Sequence, residues 1–216
     1  MDTASAERTE VGIPIVDATL AGDLSVPSKA TGLVIFAHGS GSSRLSVRNR
    51  FVAETLHARG LATLLLDLLT PEEETVRANV FDVRLLAGRL LAATRWADRT
   101  PEVGGLPPGY FGASTGAAAA LWAAAEVGDG VGAVVSRGGR PDLAEERLRD
   151  VTAPTLLIVG GNDWTVIDLN ERAAMFLNCP HEIAIVPDAT HLFEEPGALE
   201  RVAELAGDWL ERYLPS

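Results

Sequence analysis

The chain alternates short, wholly apolar runs with segments of helical periodicity, and that alternation restricts it to a small set of folds. Residues 33–37 form a continuous apolar run, the pattern of a strand covered on both faces, which ends in His38-Gly39-Ser40-Gly41-Ser42-Ser43. The pattern then predicts a helical stretch near 47–59, a buried strand over 62–66 and a long amphipathic helix near 80–98. Further strands are expected at 109–113, 131–136, 155–159 and 183–186, with a last helix over about 196–213. Such alternation requires right-handed crossovers and a mainly parallel sheet, which binds ligands at the carboxyl ends of its strands. Ahead of it, Val11, Ile13 and Ile15, then Leu20, Leu24 and Val26, alternate on either side of Asp17, which predicts an antiparallel hairpin.

A length of 216 residues suits one α/β domain, read as 1–216 with a flexible start over 1–10. Eighteen basic residues against 30 acidic ones give a net charge of −12, which repels a phosphate backbone and argues against nucleic-acid partners. The longest apolar stretch, 117–125, has nine residues, too few to cross a bilayer. The opening ten residues mix Asp2, Glu7, Arg8 and Glu10 with small polar residues and carry no secretion-type apolar region, so a cytoplasmic protein is expected. Cys179 is the only cysteine, which precludes an internal disulfide, and no Cys/His spacing suits structural zinc.

The most informative loop follows the strand at 109–113. Gly112-Ala113-Ser114-Thr115-Gly116 runs straight into the helix-forming stretch 117–125, so the chain turns sharply from strand to helix at Ser114. Glycine two before and two after a serine leaves room for a nucleophile elbow, with the hydroxyl exposed above the sheet. A tight turn that only packs a helix against a strand would show the same pattern, so the case rests on the partners.

A serine hydroxyl needs a base, and four histidines are available. His57 lies inside a predicted helix and His181 precedes a strand, at the wrong end of the sheet; both read as surface residues. His38 ends its strand but reads as a loop-shaping residue. His191 follows the last strand on a short loop at the correct end, and is the best base. Orienting it calls for a carboxylate that also follows a strand. Asp163, in Gly160-Gly161-Asn162-Asp163, fits, although a turn-forming aspartate would look the same; Asp168 reads as the start of the next helix, and Asp188 is too close to His191 in sequence.

The loop after residue 37 can supply a backbone N–H to an oxyanion hole, from Ser40 or alternatively Gly41, paired with the N–H of Thr115. A dinucleotide-binding reading of this loop fails at Arg44, which stands where close helix–strand packing wants a third glycine. The run Glu72-Glu73-Glu74 reads as an acidic helix start or a solvated loop.

With Ser114, Asp163, His191 and the His-Gly-Ser-Gly loop in that order, residues 11–214 resemble the α/β-hydrolase superfamily, and its dienelactone-hydrolase-like members most closely. The resemblance implies an α/β-hydrolase fold, an eight-stranded, mostly parallel sheet whose second strand is antiparallel. It also implies hydrolysis of an ester or related acyl compound through an acyl-enzyme, with no cofactor. Dienelactone hydrolases proper use a cysteine nucleophile, whereas the elbow here carries Ser114 and Cys179 lies far along the chain, which argues against dienelactone as substrate.

Residue 136 is followed within five residues by Pro141 and a helical stretch, which leaves no space for a lid domain, so a shallow pocket for small esters is expected. Trp164, Leu192 and Phe193 are read either as apolar walls or as core. Arg137 and Arg140 either bind a substrate carboxylate or pair with protein carboxylates, and Arg44, Arg48 and Arg50 invite the same question. The expected activity is a cofactor-independent serine esterase acting on a small acyl substrate. An acyltransferase or perhydrolase using the same triad, and a non-catalytic binding domain, are the alternatives.

Overall fold

The fold comes from a computed structural model that describes residues 7–214. Eight strands form one sheet: β1 (Glu7–Pro14), β2 (Thr19–Val26), β3 (Gly32–Ala37), β4 (Leu61–Leu66), β5 (Pro108–Ala113), β6 (Ala133–Arg137), β7 (Thr155–Gly160) and β8 (His181–Val186). Their spatial order is β1-β2-β4-β3-β5-β6-β7-β8, and only β2 runs against the rest. This is the α/β-hydrolase arrangement, with helices on both faces. The reversal of order around β3 and β5 opens a crevice at their carboxyl ends.

The strands form where they do because they are covered twice. Every residue of β3, β4 and β7 is buried, and apart from Thr63 and Thr155 all of them are apolar. On one face pack α4 (Val83–Asp98), α5 (Thr115–Val127), α6 (Trp164–Ala174) and a 3₁₀ segment, Pro141–Asp150. On the other lie α1 (Val47–Ala58) and α7 (Ala198–Tyr213). Helix α5 is buried over its first ten residues, Thr115 to Ala124, so an alanine-rich helix that is apolar all round lies inside the protein. In α7 the buried positions Val202, Ala206, Trp209 and Leu210 recur at helical spacing, which makes it a one-sided cover.

Several expectations shift. Glu7 to Glu10, expected to belong to a flexible start, pair with Val26 to Asp23 in the β1–β2 hairpin, whereas 1–6 lie outside the described residues. The helix expected from 80 begins at Val83, where the Asp82 side chain accepts the Leu85 N–H at 3.0 Å. Before it stand two single-turn helices, α2 (Pro71–Glu74) and α3 (Arg77–Val80). The acidic run is therefore a helix start, closed by a capping box between Thr70 and Glu73. After β6 the chain enters the 3₁₀ segment after three residues, with no lid inserted. No helix among the described residues is long and apolar enough to cross a membrane.

Candidate active site

Three strand ends and their loops converge at the crevice. Ser114 leaves β5 with φ 51° and ψ −119°, a conformation that costs a non-glycine residue about 1–3 kcal/mol and persists only when its surroundings impose it. Those surroundings are specific. A Cβ on Gly112 would collide with Ala117 and one on Gly116 with the carbonyls of Ala37 and His38, so both glycines of the motif let backbone meet backbone. The Ser114 N–H donates to the Arg137 carbonyl (3.2 Å), and the Ser114 carbonyl accepts from the Arg140 N–H (3.1 Å), which staples the elbow to the loop after β6.

The loops after β7 and β8 are joined in the same way. The Asn162 N–H donates to the Ala189 carbonyl and its side-chain amide to the Asp188 carbonyl, both at 2.9 Å. Gly160 presses so closely on the Ala189 and Thr190 carbonyls that a Cβ would lie 2.5 and 2.6 Å from them. Asp163 and His191 are thereby brought together, and His191 Nδ1–H donates to Asp163 Oδ2 at 2.7 Å. Asp163 starts α6 without capping it by its side chain, so the carboxylate is free for the imidazole. Hydrogen bonding from Thr190 and the local backbone holds the Glu195 carboxyl below the usual range.

The His191 ring packs against Gly138 in the loop after β6, where φ is 51° and a Cβ would lie 3.4 Å from ring atoms Cε1 and Nδ1. The hydrogen bonds of the described residues include the Asp163–His191 link but none between Ser114 Oγ and the ring. The neutral ring with its proton on Nδ1 has Nε2 open as an acceptor.

The oxyanion loop approaches Ser114 from the β3 side, with Gly39 so close that a Cβ there would be 3.1 Å from the Ser114 Cβ. The Ser40 N–H donates to Thr115 Oγ1 at 2.9 Å, so the amide expected to face an oxyanion is held by the residue after the nucleophile. The Thr115 amide lies in the first turn of α5, among the donors that a helix leaves without an internal partner. His38 shapes the loop as expected: its Nε2 accepts the Leu68 N–H (3.1 Å), and Nδ1 meets the Gly39 carbonyl (2.9 Å).

Other residues fall away from the site. His57 is half-buried against Thr63 Oγ1 (2.7 Å), where burial lowers its pKa; it is not the surface residue expected, because its helix packs on β4. Asp168 sits inside α6 instead of starting it. Cys179 is buried beside Thr155 at the amino end of β7, and burial raises its thiol pKa. Trp164 is 71% exposed, Leu192 is exposed, and Phe193 is fully buried in the core.

The arginines divide by partner. Arg140 is bound bidentately by Asp142 (2.9 and 2.8 Å), Arg48 pairs with Glu194, and Arg50 with Asp23. Arg44 reaches Asp67 (2.7 Å), Asp23 and Glu10. Arg137 is buried on the α1/α7 face of the sheet, where burial and the nearby charge of Arg48 lower its pKa to about 10, and its Nη1 has no partner. The sequence reading missed Glu74 and the leucines after β4, which line a cavity beside the oxyanion loop.

The dienelactone hydrolase family profile matches residues 17–214. A dienelactone hydrolase crystal structure from Anabaena variabilis is 55% identical, with a TM-score of 0.94 over 97% of this chain and 99% of that one. The chain belongs to the dienelactone hydrolase family. It is also 59% identical over 205 residues to Mycobacterium tuberculosis proteins named "Putative phosphoribosyl transferase". That match covers 95% of this chain but 46% of those proteins, so the chain spans about half the length of the curated relatives it matches. Est1E from Butyrivibrio proteoclasticus shares the fold at 18% identity, with a TM-score of 0.81 over 94% of this chain and 98% of that one. The turn after β5 carries Ser114, and Cys179, the chain's one cysteine, is buried.

Proposed function

We propose that this chain is a serine hydrolase of the carboxylesterase type, cleaving small esters or related acyl compounds. Ser114 Oγ attacks the acyl carbonyl carbon and passes its proton to His191 Nε2, while Asp163 holds the imidazole and stabilises the cation. The Gly41 and Thr115 N–H groups receive the oxyanion, the Ser40 N–H being held by Thr115 Oγ1, and each such donor is worth about 2.7–4 kcal/mol in the transition state. Collapse breaks the bond to the leaving alcohol, which takes the proton from His191. Water then repeats the sequence, cleaving the acyl-enzyme and restoring the Ser114 hydroxyl.

The observation that carries this reading is the pairing of a strained Ser114 backbone after β5 with a His191–Asp163 hydrogen bond between the loops after β8 and β7, since packing alone calls for neither. The family match and an esterase-like fold support it. The transferase name belongs to proteins of which this chain matches less than half, so the hydrolase reading is assigned to this portion alone.

The test is Ser114→Ala assayed on short p-nitrophenyl esters, with fluorophosphonate labelling of the unaltered protein. Turnover should fall by about 10⁶-fold, as when a triad loses its serine, and the label should map to Ser114. Unchanged turnover, or a folded protein that resists the label, defeats the proposal.

A further inference from the structure

Beside the oxyanion loop lies a cavity of about 490 Å³, within the size range of small-molecule sites. Ser40 and Thr115 form part of its wall. Ser114 and His191 are not among its lining residues, but Gly41 and Thr115, whose amides are offered to the oxyanion, are, so an ester held there can extend one arm into the cavity. The floor is Leu68, Leu69 and Leu86, all buried, with Val80 at the side. Close packing around these leucines holds the floor in shape before any ligand arrives.

The charges around this cavity are one-sided. Among its lining residues the only side chain with a full charge is Glu74, exposed at the end of α2, and no lysine or arginine lines it. His38 contributes a ring whose Nε2 is committed as an acceptor. The cations nearby are engaged: Arg44 by Asp67, Asp23 and Glu10, and Arg89 by Glu73. Arg77 of α3 lies over the Phe81 ring, 5.9 Å from its centre, and does not line the cavity. Arg140 is neutralised by Asp142, and Arg137 lies on the other face of the sheet.

We propose that this cavity receives an uncharged, apolar arm of the ester, tolerates a cationic group at its mouth beside Glu74, and rejects a carboxylate. This rests on the serine-hydrolase reading and adds a substrate class to it. A carboxylate entering here would lose water to an apolar floor, meet a like charge and find no guanidinium. Like charges about 4 Å apart in water already disfavour each other roughly fivefold, and partial desolvation increases that.

The experiment compares kcat/KM for matched neutral, carboxylate-ended and ammonium-ended esters. One series carries the charge on the acyl arm and a second on the alcohol arm. In at least one series the carboxylate ester should fall tenfold or more below the neutral one. Glu74→Lys should shrink that neutral-to-carboxylate ratio by at least fivefold and reverse any preference for ammonium, with Glu74→Gln intermediate. Equal rates in both series, or a ratio that Glu74→Lys does not move, would overturn the proposal. Labelling separates the layers: Ser114 modified by a fluorophosphonate without charge discrimination defeats the cavity assignment alone. Ser114 unreactive in folded protein defeats the hydrolase reading and the cavity assignment together.

Discussion

The Ser40 amide and the Thr115 hydroxyl, 75 positions apart in sequence, are hydrogen-bonded at 2.9 Å. This bond fixes the spacing between the two loops offered as the oxyanion hole. Thr115→Val keeps the shape but removes the acceptor, so the Ser40 loop loses its register. A misplacement of about 1 Å at such a site costs on the order of 10²-fold in rate. We expect kcat to fall by about that factor with KM little changed, and Thr115→Ser to restore most of it. A valine variant with ordinary kcat would show the bond to be incidental.

Asp163→Asn tests the acid. The amide is nearly isosteric but cannot stabilise the imidazolium and favours the wrong tautomer, which costs about 10⁴-fold in kcat where the triad logic holds. Steady-state kinetics beside a circular dichroism spectrum of the variant would separate this from unfolding.

His57 gives a pH dependence of stability. Burial lowers its pKa in the folded protein, a neighbouring Glu54 opposing this in part, so the unfolded chain binds more protons between the two values. Stability should therefore rise with pH through the interval ending near the ordinary 6.5, with the full penalty present below the folded pKa. Urea midpoints measured from pH 7 down to 5 should decline less steeply in His57→Gln than in the unaltered protein.

Arg137 bears a buried charge with an unpaired Nη1 and a like charge in Arg48. Replacing such a group by an apolar side chain of similar length is often neutral or stabilising. Arg137→Met should leave the unfolding free energy measured in urea unchanged or raise it, by about 1 kcal/mol at the lower end of such gains. A clear loss of stability would mean that the guanidinium is better satisfied than its geometry indicates.

The sheet was legible because strands covered on both faces are nearly all apolar, as β3, β4 and β7 are apart from Thr63 and Thr155. The sharp turn at Ser114 was legible because backbone contacts demand glycine on either side of it, and the meeting of Asp163 with His191 because parallel topology delivers strand ends to one rim. The cavity was not. Helices of one turn, such as α2 and α3, have no room for periodicity, and only local signals, the acidic run 72–74 and the Thr70–Glu73 capping box, marked a helix start there. Nor could sequence tell which face Arg137 takes, since strand alternation fixes opposition but not direction. The Arg140–Asp142 pair is two residues apart and could have been weighed as a local neutralisation.

The Arg44 cluster has a different reach. Its guanidinium joins the segment after the oxyanion loop to Asp67 beyond β4 and to Asp23 in β2, and Arg50 grips the same Asp23. The antiparallel hairpin, which supplies none of the proposed site residues, thus acts as a mooring for the loop that borders Ser114. A shortened chain lacking those first two strands could retain serine, acid and imidazole and still be silent, with the fault lying in an unanchored rim.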